Sequence, residues 1–136
     1  MRTMAQKRAA YALSKVHTVN SGKTPDEKKD FKSFSAGAPA MILQNGFGQS
    51  LAFWFAKGTK DGKIRKEDKN IVLFDIVKDW LSFKEDDVNN LFTKEKDRRK
   101  FIVELTGMDQ QKYLSAQNEA LALLDWVKRF AAADLE

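Results

Sequence analysis

Catalysis needs a poised side chain, and this chain offers few. It has one histidine, His17, and no cysteine, which excludes thiolate nucleophiles, thiolate zinc sites and disulfides. His17 has no partner identifiable from the sequence and reads as a surface residue or a favourable charge near a helix end. Asp75 and Asp79 stand four apart, the spacing of two carboxylate metal ligands on one helical face. With Lys78 between them, the same spacing describes the solvated side of an amphipathic helix. Glu85-Asp86-Asp87 lacks the alternating ligands and glycine of a calcium loop, and reads as a helix cap or as a face for a basic partner. No glycine loop leads into lysine followed by serine or threonine, as a phosphate cradle requires. No catalytic residue, no metal ligand set and no cofactor is expected, and the chain reads as a non-enzyme.

Binding chemistry is better represented. Arg8, Tyr11 and Lys15 follow one another at three and four residues, forming one strip of a first helix. Basic groups around an aromatic ring suit phosphate contact with stacking. The competing reading has Tyr11 buried at a helix crossing and the charges solvated. Lys28, Lys29 and Lys32 spread over too wide an arc for one tight patch, but they add positive field. Gln44-Asn45-Gly46-Phe47-Gly48-Gln49 interrupts an apolar helical segment with amides and two glycines. Each glycine inside a helix costs about 1 kcal/mol relative to alanine. A helix terminus, a close crossing or a partner's backbone must offset that cost. The amides suit phosphates and ribose hydroxyls, or the capping of a following helix. Further on, Asn118, Asp125 and Arg129 share a polar strip with Trp126 at its edge.

The elements that position these residues are helical nearly throughout. A first helix is expected from about residue 3 to 19, burying Ala5, Ala9, Ala12, Leu13 and Val16. Thr24-Pro25-Asp26-Glu27 combines a threonine cap, a proline at the first helical position and a glutamate completing a capping box. That second helix should weaken at residues 35–38, because a residue before proline is pushed from helical geometry. Pro39 then opens another helix into the glycine cluster. Leu51, Phe53, Trp54 and Phe55 read as core, and residues 57–70 as a loop with two glycines and six basic residues. The spacing through Ile71, Phe74, Val77, Trp80 and Leu81 favours a helix over a short strand. A helix near residues 95–106 should bury Phe101, Ile102 and Leu105 and end at Gly107. The last, from about 109 to 133, carries a wide apolar stripe, with Lys128 and Arg129 complementing its carboxyl-end dipole. The expected fold is all-α, one compact domain over residues 1–136 built as a bundle of about six helices.

Bulk properties agree. The chain has 136 residues, 43% hydrophobic and 32% charged, which suits one soluble domain. Residues 1–70 carry 14 Lys/Arg against 6 Asp/Glu, a balance of +8, whereas residues 71–136 carry 10 against 13, a balance of −3. Such asymmetry suits a polyanion-facing side and a second side for protein contacts; lysine-rich solvated loops would produce a similar imbalance. The amino-terminal residues lack a signal-peptide core, and no apolar run reaches the roughly 20 residues that span a bilayer. A cytoplasmic protein without membrane contact is expected.

Two segments together point to a family. Pro39-Ala-Met-Ile-Leu-Gln-Asn-Gly-Phe-Gly-Gln-Ser-Leu-Ala-Phe53 and Tyr113-Leu-Ser-Ala-Gln-Asn-Glu-Ala-Leu-Ala-Leu-Leu-Asp-Trp-Val-Lys-Arg-Phe-Ala131 closely resemble the small α-helical subunit of type III-B CRISPR effectors, the Cmr complexes. Arg8-Ala-Ala-Tyr-Ala-Leu13 resembles the family's opening, and the length matches. The resemblance implies a non-catalytic structural subunit for antiviral defence, stacking in several copies along the repeated backbone subunits and near the large subunit, and supporting guide and target RNA. Carried over by position, it implies RNA contact by Arg8 and Lys15, by Lys32 with Gln44, Asn45 and Gln49, and by Lys128 with Arg129. Two other readings stand beside it. One is a helical protein–protein adaptor without RNA contact; the other is a carboxylate-dependent nuclease using Asp75 and Asp79.

Overall fold

The structure, a computed structural model, describes residues 2–82 and 97–133. It contains helices α1 (Met4–Asn20), α2 (Pro25–Asn45), α3 (Phe47–Lys57), α4 (Lys69–Leu81), α5 (Arg98–Thr106) and α6 (Gln110–Ala133). A two-stranded hairpin, β1 (Thr59–Lys60) and β2 (Lys63–Ile64), lies between α3 and α4. The all-α bundle is therefore as the sequence implied, apart from the hairpin. Glu85-Asp86-Asp87 and the expected start of the 95–106 helix lie outside the described residues.

Local chemistry explains the helix boundaries. Thr3 and Gln6 form a reciprocal capping box that starts α1. Thr24 and Glu27 do the same for α2, with Pro25 in the first turn. Each satisfies amides that a helix start leaves without partners. Asp97 caps α5 by accepting from the Arg99 and Lys100 amides, and Gly107 follows its end.

The expected weakening before Pro39 does not occur: α2 runs unbroken from Pro25 to Asn45. Proline removes one helical amide and crowds the preceding turn. Here that turn is Ser35-Ala36-Gly37-Ala38, small enough to leave room. Phe31, Ser35, Ala38 and Ile42 form one buried stripe through the site, so packing overrides the local preference.

The central layer is α6 against α1 and α2, with α3 and α4 packed together and α4 also meeting α6. Arg8 meets Glu119, and Asn20 lies by Ala131, so α1 runs parallel to α6. Lys28 lies by Ala131, and Gly48, three residues beyond the end of α2, lies by Tyr113, so α2 runs antiparallel to α6. Ala116 and Ala120 on α6, Ala12 on α1 and Ala38 on α2 are all buried, and small side chains there permit close helix approach. A chain of edge-on rings, Phe55–Phe74–Phe101, ties α3, α4 and α5 at centroid distances of 5.6 and 5.8 Å, geometry that favours aromatic pairs.

Candidate nucleic-acid interface

The glycine cluster resolves into two roles. Gly46 has φ +89° and joins α2 to α3, a left-handed conformation that side chains rarely adopt. Gly48 lies beneath Tyr113, whose hydroxyl accepts from the Gly48 amide at 2.7 Å. A Cβ at Gly48 would lie 3.2 Å from that oxygen. One glycine thus makes a terminus and the other a close crossing. The amides do not cap α3, which has no side-chain cap; Gln44, Asn45 and Gln49 are exposed. Nor does the fold bring Lys32 to them. Twelve residues of continuous helix separate Lys32 from Gln44, about 18 Å at the α-helical rise.

The first-helix strip turns inward rather than away from the core. Ala12 and Val16 are buried, but Ala5 and Leu13 are exposed, while Arg8, Tyr11 and Lys15 are half-buried. Tyr11 packs on Trp80 with centroids 4.9 Å apart and donates to the Ile76 carbonyl at 2.8 Å. Its large ring gains more from burial than the alanines do, so it sets the helix rotation. Burial raises the Tyr11 pKa, with Asp79 and Asp75 adding to the effect. Arg8 grips the Glu119 carboxylate with two guanidinium nitrogens, Nη2 to Oε1 at 2.9 Å. Trp80 Nε1 donates to the same carboxylate at 2.9 Å. Burial pushes the Glu119 pKa up, but the bonds from Arg8 and Trp80 and the guanidinium charge outweigh it, so the carboxyl lies below its usual range. A phosphate at Arg8 would have to compete with this bidentate partner. Lys15 lies over the Tyr11 ring at 5.4 Å.

The two aspartates of the nuclease reading already hold cations. Arg98 clasps Asp75 through two bonds of 2.8 and 2.7 Å, and the buried Lys78 reaches Asp79 at 2.8 Å. Among the described residues no three His, Cys, Asp or Glu are grouped to hold a metal ion. His17 is exposed in the last turn of α1.

On α6, Lys128 and Arg129 are exposed, and Arg129 pairs with Asp125 at 3.2 Å. The helix continues to Ala133, so neither residue stands in its last turn; the expected dipole role is corrected accordingly. Trp126 stacks on Phe130 at 5.7 Å.

Lys28, Lys29 and Lys32, too widely spread on α2 alone, line one hollow of about 330 Å³ with Asn20, Pro25 and Ala131. The end of α1 and the end of α6 supply its other walls. Lys128 stands three residues before Ala131 on α6, roughly one turn. Among the described residues none of the three α2 lysines forms an ion pair. Lys28 and Lys29 were not among the residues implied for RNA contact. Their sequence signal was the lysine cluster itself, which periodicity does not convert into a site until α6 is in place.

Among the described residues no helix is long and apolar enough to cross a membrane. The profile of the family described as CRISPR-associated protein (Cas_Cmr5) matches residues 4–134. The crystal structure of a CRISPR-associated Cmr5 family protein from Thermus thermophilus is similar at 25% sequence identity and a TM-score of 0.65, covering 100% of both chains. The family match spans the second capping box, the glycine junction and the long carboxyl-terminal helix. This chain belongs to the Cmr5 family and is a subunit of the type III-B CRISPR Cmr complex.

Proposed function

We propose that this subunit is a non-catalytic cytoplasmic scaffold. It stacks in several copies along the backbone subunits and steadies the guide and target RNA through a basic surface. The observation that carries the RNA part is the hollow at Lys28, Lys29 and Lys32, three cations on one wall without carboxylate partners among the described residues. Unpaired cations held by rigid helices suit sequence-independent phosphate contact. Base pairing then carries recognition while protein supports backbone and shape, the division of labour in another CRISPR class.

In this reading Lys32 and Lys128 join Lys28 and Lys29 on one side. Gln44, Asn45 and Gln49 form a second, polar contact at the far end of α2. Arg129 and Lys15 add field from exposed and half-buried positions. Arg8 serves the same surface indirectly, by holding α1 on α6.

The test is target-RNA binding by the assembled Cmr complex carrying Lys29→Glu and Lys32→Glu in this subunit. Affinity at about 0.1 M salt should fall about tenfold, with a shallower salt dependence. Unchanged binding would discard the hollow as an RNA contact. Loss of RNA crosslinks to every residue of this chain would instead favour the adaptor reading.

A further inference from the structure

Sequence alone places the five cations Lys57, Lys60, Lys63, Arg65 and Lys66 in a loop, and the fold makes something more definite of them. Asp61 and Gly62 have φ of +54° and +75°, the paired left-handed conformation of a type I′ turn, whose twist matches that of the flanking strands. The turn sets Lys60 directly opposite Lys63 and Thr59 opposite Ile64. The hairpin is anchored at its base: the Arg65 amide donates to the Gly58 carbonyl at 2.8 Å, and the Thr59 hydroxyl to the Phe55 carbonyl at 2.8 Å.

Two features of this element are unexplained by stability. Like charges placed directly across a strand pair repel and destabilise it, yet Lys60 faces Lys63. Between residues 57 and 66 there are five cations and one acid, Asp61. Among the described residues none of the five is in an ion pair. On α3, about one turn before its end at Lys57, Phe53 is 46% exposed, with the Lys57 ammonium over its ring at 5.9 Å. An exposed aromatic ring with one cation over it, on the helix that leads into a cationic hairpin, suits unpaired nucleic acid, a base on the ring and phosphates on the charges. An acidic polypeptide would use the charges but has no need of the ring.

We infer that the hairpin and the carboxyl-terminal half of α3 form a pre-shaped grip for single-stranded RNA, with Lys60, Lys63 and Arg65 on consecutive phosphates and Phe53 beneath a base. This deepens the RNA-supporting reading and rests on it, but it places the contact on a different element from the α2 hollow. The occupant is an unpaired stretch, because a base inside a duplex cannot offer its face to Phe53.

The experiment measures binding of the purified full chain to a uridine homopolymer about 20 nucleotides long by fluorescence anisotropy across a salt series. Far-UV circular dichroism confirms that each variant keeps its helices. Lys60→Ala/Lys63→Ala/Arg65→Ala should weaken binding more than tenfold at low salt and reduce the slope of log K against log salt by about two, at about 0.7 per phosphate contact. Phe53→Ala should weaken binding about fivefold or more with an unchanged slope. If both variants bind like the parent while Lys29→Glu/Lys32→Glu binds worse, the grip is overturned and the RNA-supporting reading stands. If the parent chain does not bind the homopolymer at low salt, the pre-shaped grip is overturned, while the RNA-supporting reading is decided by the assembled complex. If polyglutamate competes as well as RNA and Phe53→Ala changes nothing, the hairpin serves an acidic protein and the proposal fails.

Discussion

Glu119→Ala should destabilise the isolated subunit by about 3 kcal/mol, lowering Tm by roughly 10 °C for a domain of this size. The expectation follows from what one carboxylate holds together. The Glu119 side chain is 12% exposed and the Arg8 side chain 22%. Removing the carboxylate takes away both bonds to the Arg8 guanidinium and the 2.9 Å bond from the Trp80 indole N–H. A mostly buried charge without its partner is the costly case, because the desolvation penalty remains and the attraction does not. The loss also reaches beyond one pair, since Arg8 belongs to α1, Trp80 to α4 and Glu119 to α6.

The pH dependence has a definite sign. The folded-state pKa of Glu119 lies below its ordinary value of 4.5. The carboxylate's contribution is therefore complete above that ordinary value and fades as pH falls from it toward the folded-state pKa. Glu119→Gln keeps an acceptor for Trp80 but cannot titrate. Its denaturation midpoint should lie below that of the parent at pH 7, with a smaller further loss on acidification below about pH 4.5. Urea unfolding at a series of pH values reads both. Parallel acid limbs for the two proteins would show that the bridge is not what acid breaks.

A second large effect is expected at Gly58, where alanine should cost about 2 kcal/mol. The backbone there has φ −86° and ψ 2°, a conformation alanine adopts freely, so strain of the main chain is not the cause. The cause is steric. A Cβ at Gly58 would lie 2.2 Å from Ile71 Cγ1 and 2.5 Å from its Cδ1. Ile71 is fully buried at the start of α4 and, being β-branched, has little freedom to swing away. Combining Gly58→Ala with Ile71→Ala should lose less than the sum of the single changes, the mark of direct contact. Gly37→Ala is the matched control. That glycine lies inside α2 with nothing among the described residues within 4 Å of the added carbon, so alanine should stabilise by up to about 1 kcal/mol. Thermal melts of the variants decide the matter, and equal shifts at both glycines would refute the steric account.

Several elements were legible in the chain because their chemistry is local. The Thr24-to-Glu27 capping box, the helix through Trp80 and Leu81, the end of α5 at Gly107 and the extent of α6 all rest on partners within a turn or on a clear periodicity. The hairpin was missed although Asp61-Gly62 is a strong type I′ pair. Its strands are only two residues long, too short to show alternation. The break expected before Pro39 failed for the opposite reason, a correct local preference outweighed by a buried stripe on both sides of it.

The candidate site was less legible than the fold. Arg8 and Lys15 looked like a solvent-facing strip because alanines seemed to mark the inner face of α1. The inner face was instead chosen by Tyr11 and by a carboxylate 111 residues away. Conversely, Lys28, Lys29 and Lys32 gained their shared hollow only when Ala131 and Asn20 closed its walls.

The amino-acid sequence by itself determined that the chain is helical, where most helices begin and end, and that its segments resemble the Cmr small subunit. Caps, turns and apolar spacing act over a few residues, so they can be read along the chain. Tertiary structure alone decided how α1 is rotated, which cations are bound to carboxylates and which remain open to a partner. Those outcomes depend on contacts between distant helices, where burial and charge pairing outweigh the local pattern.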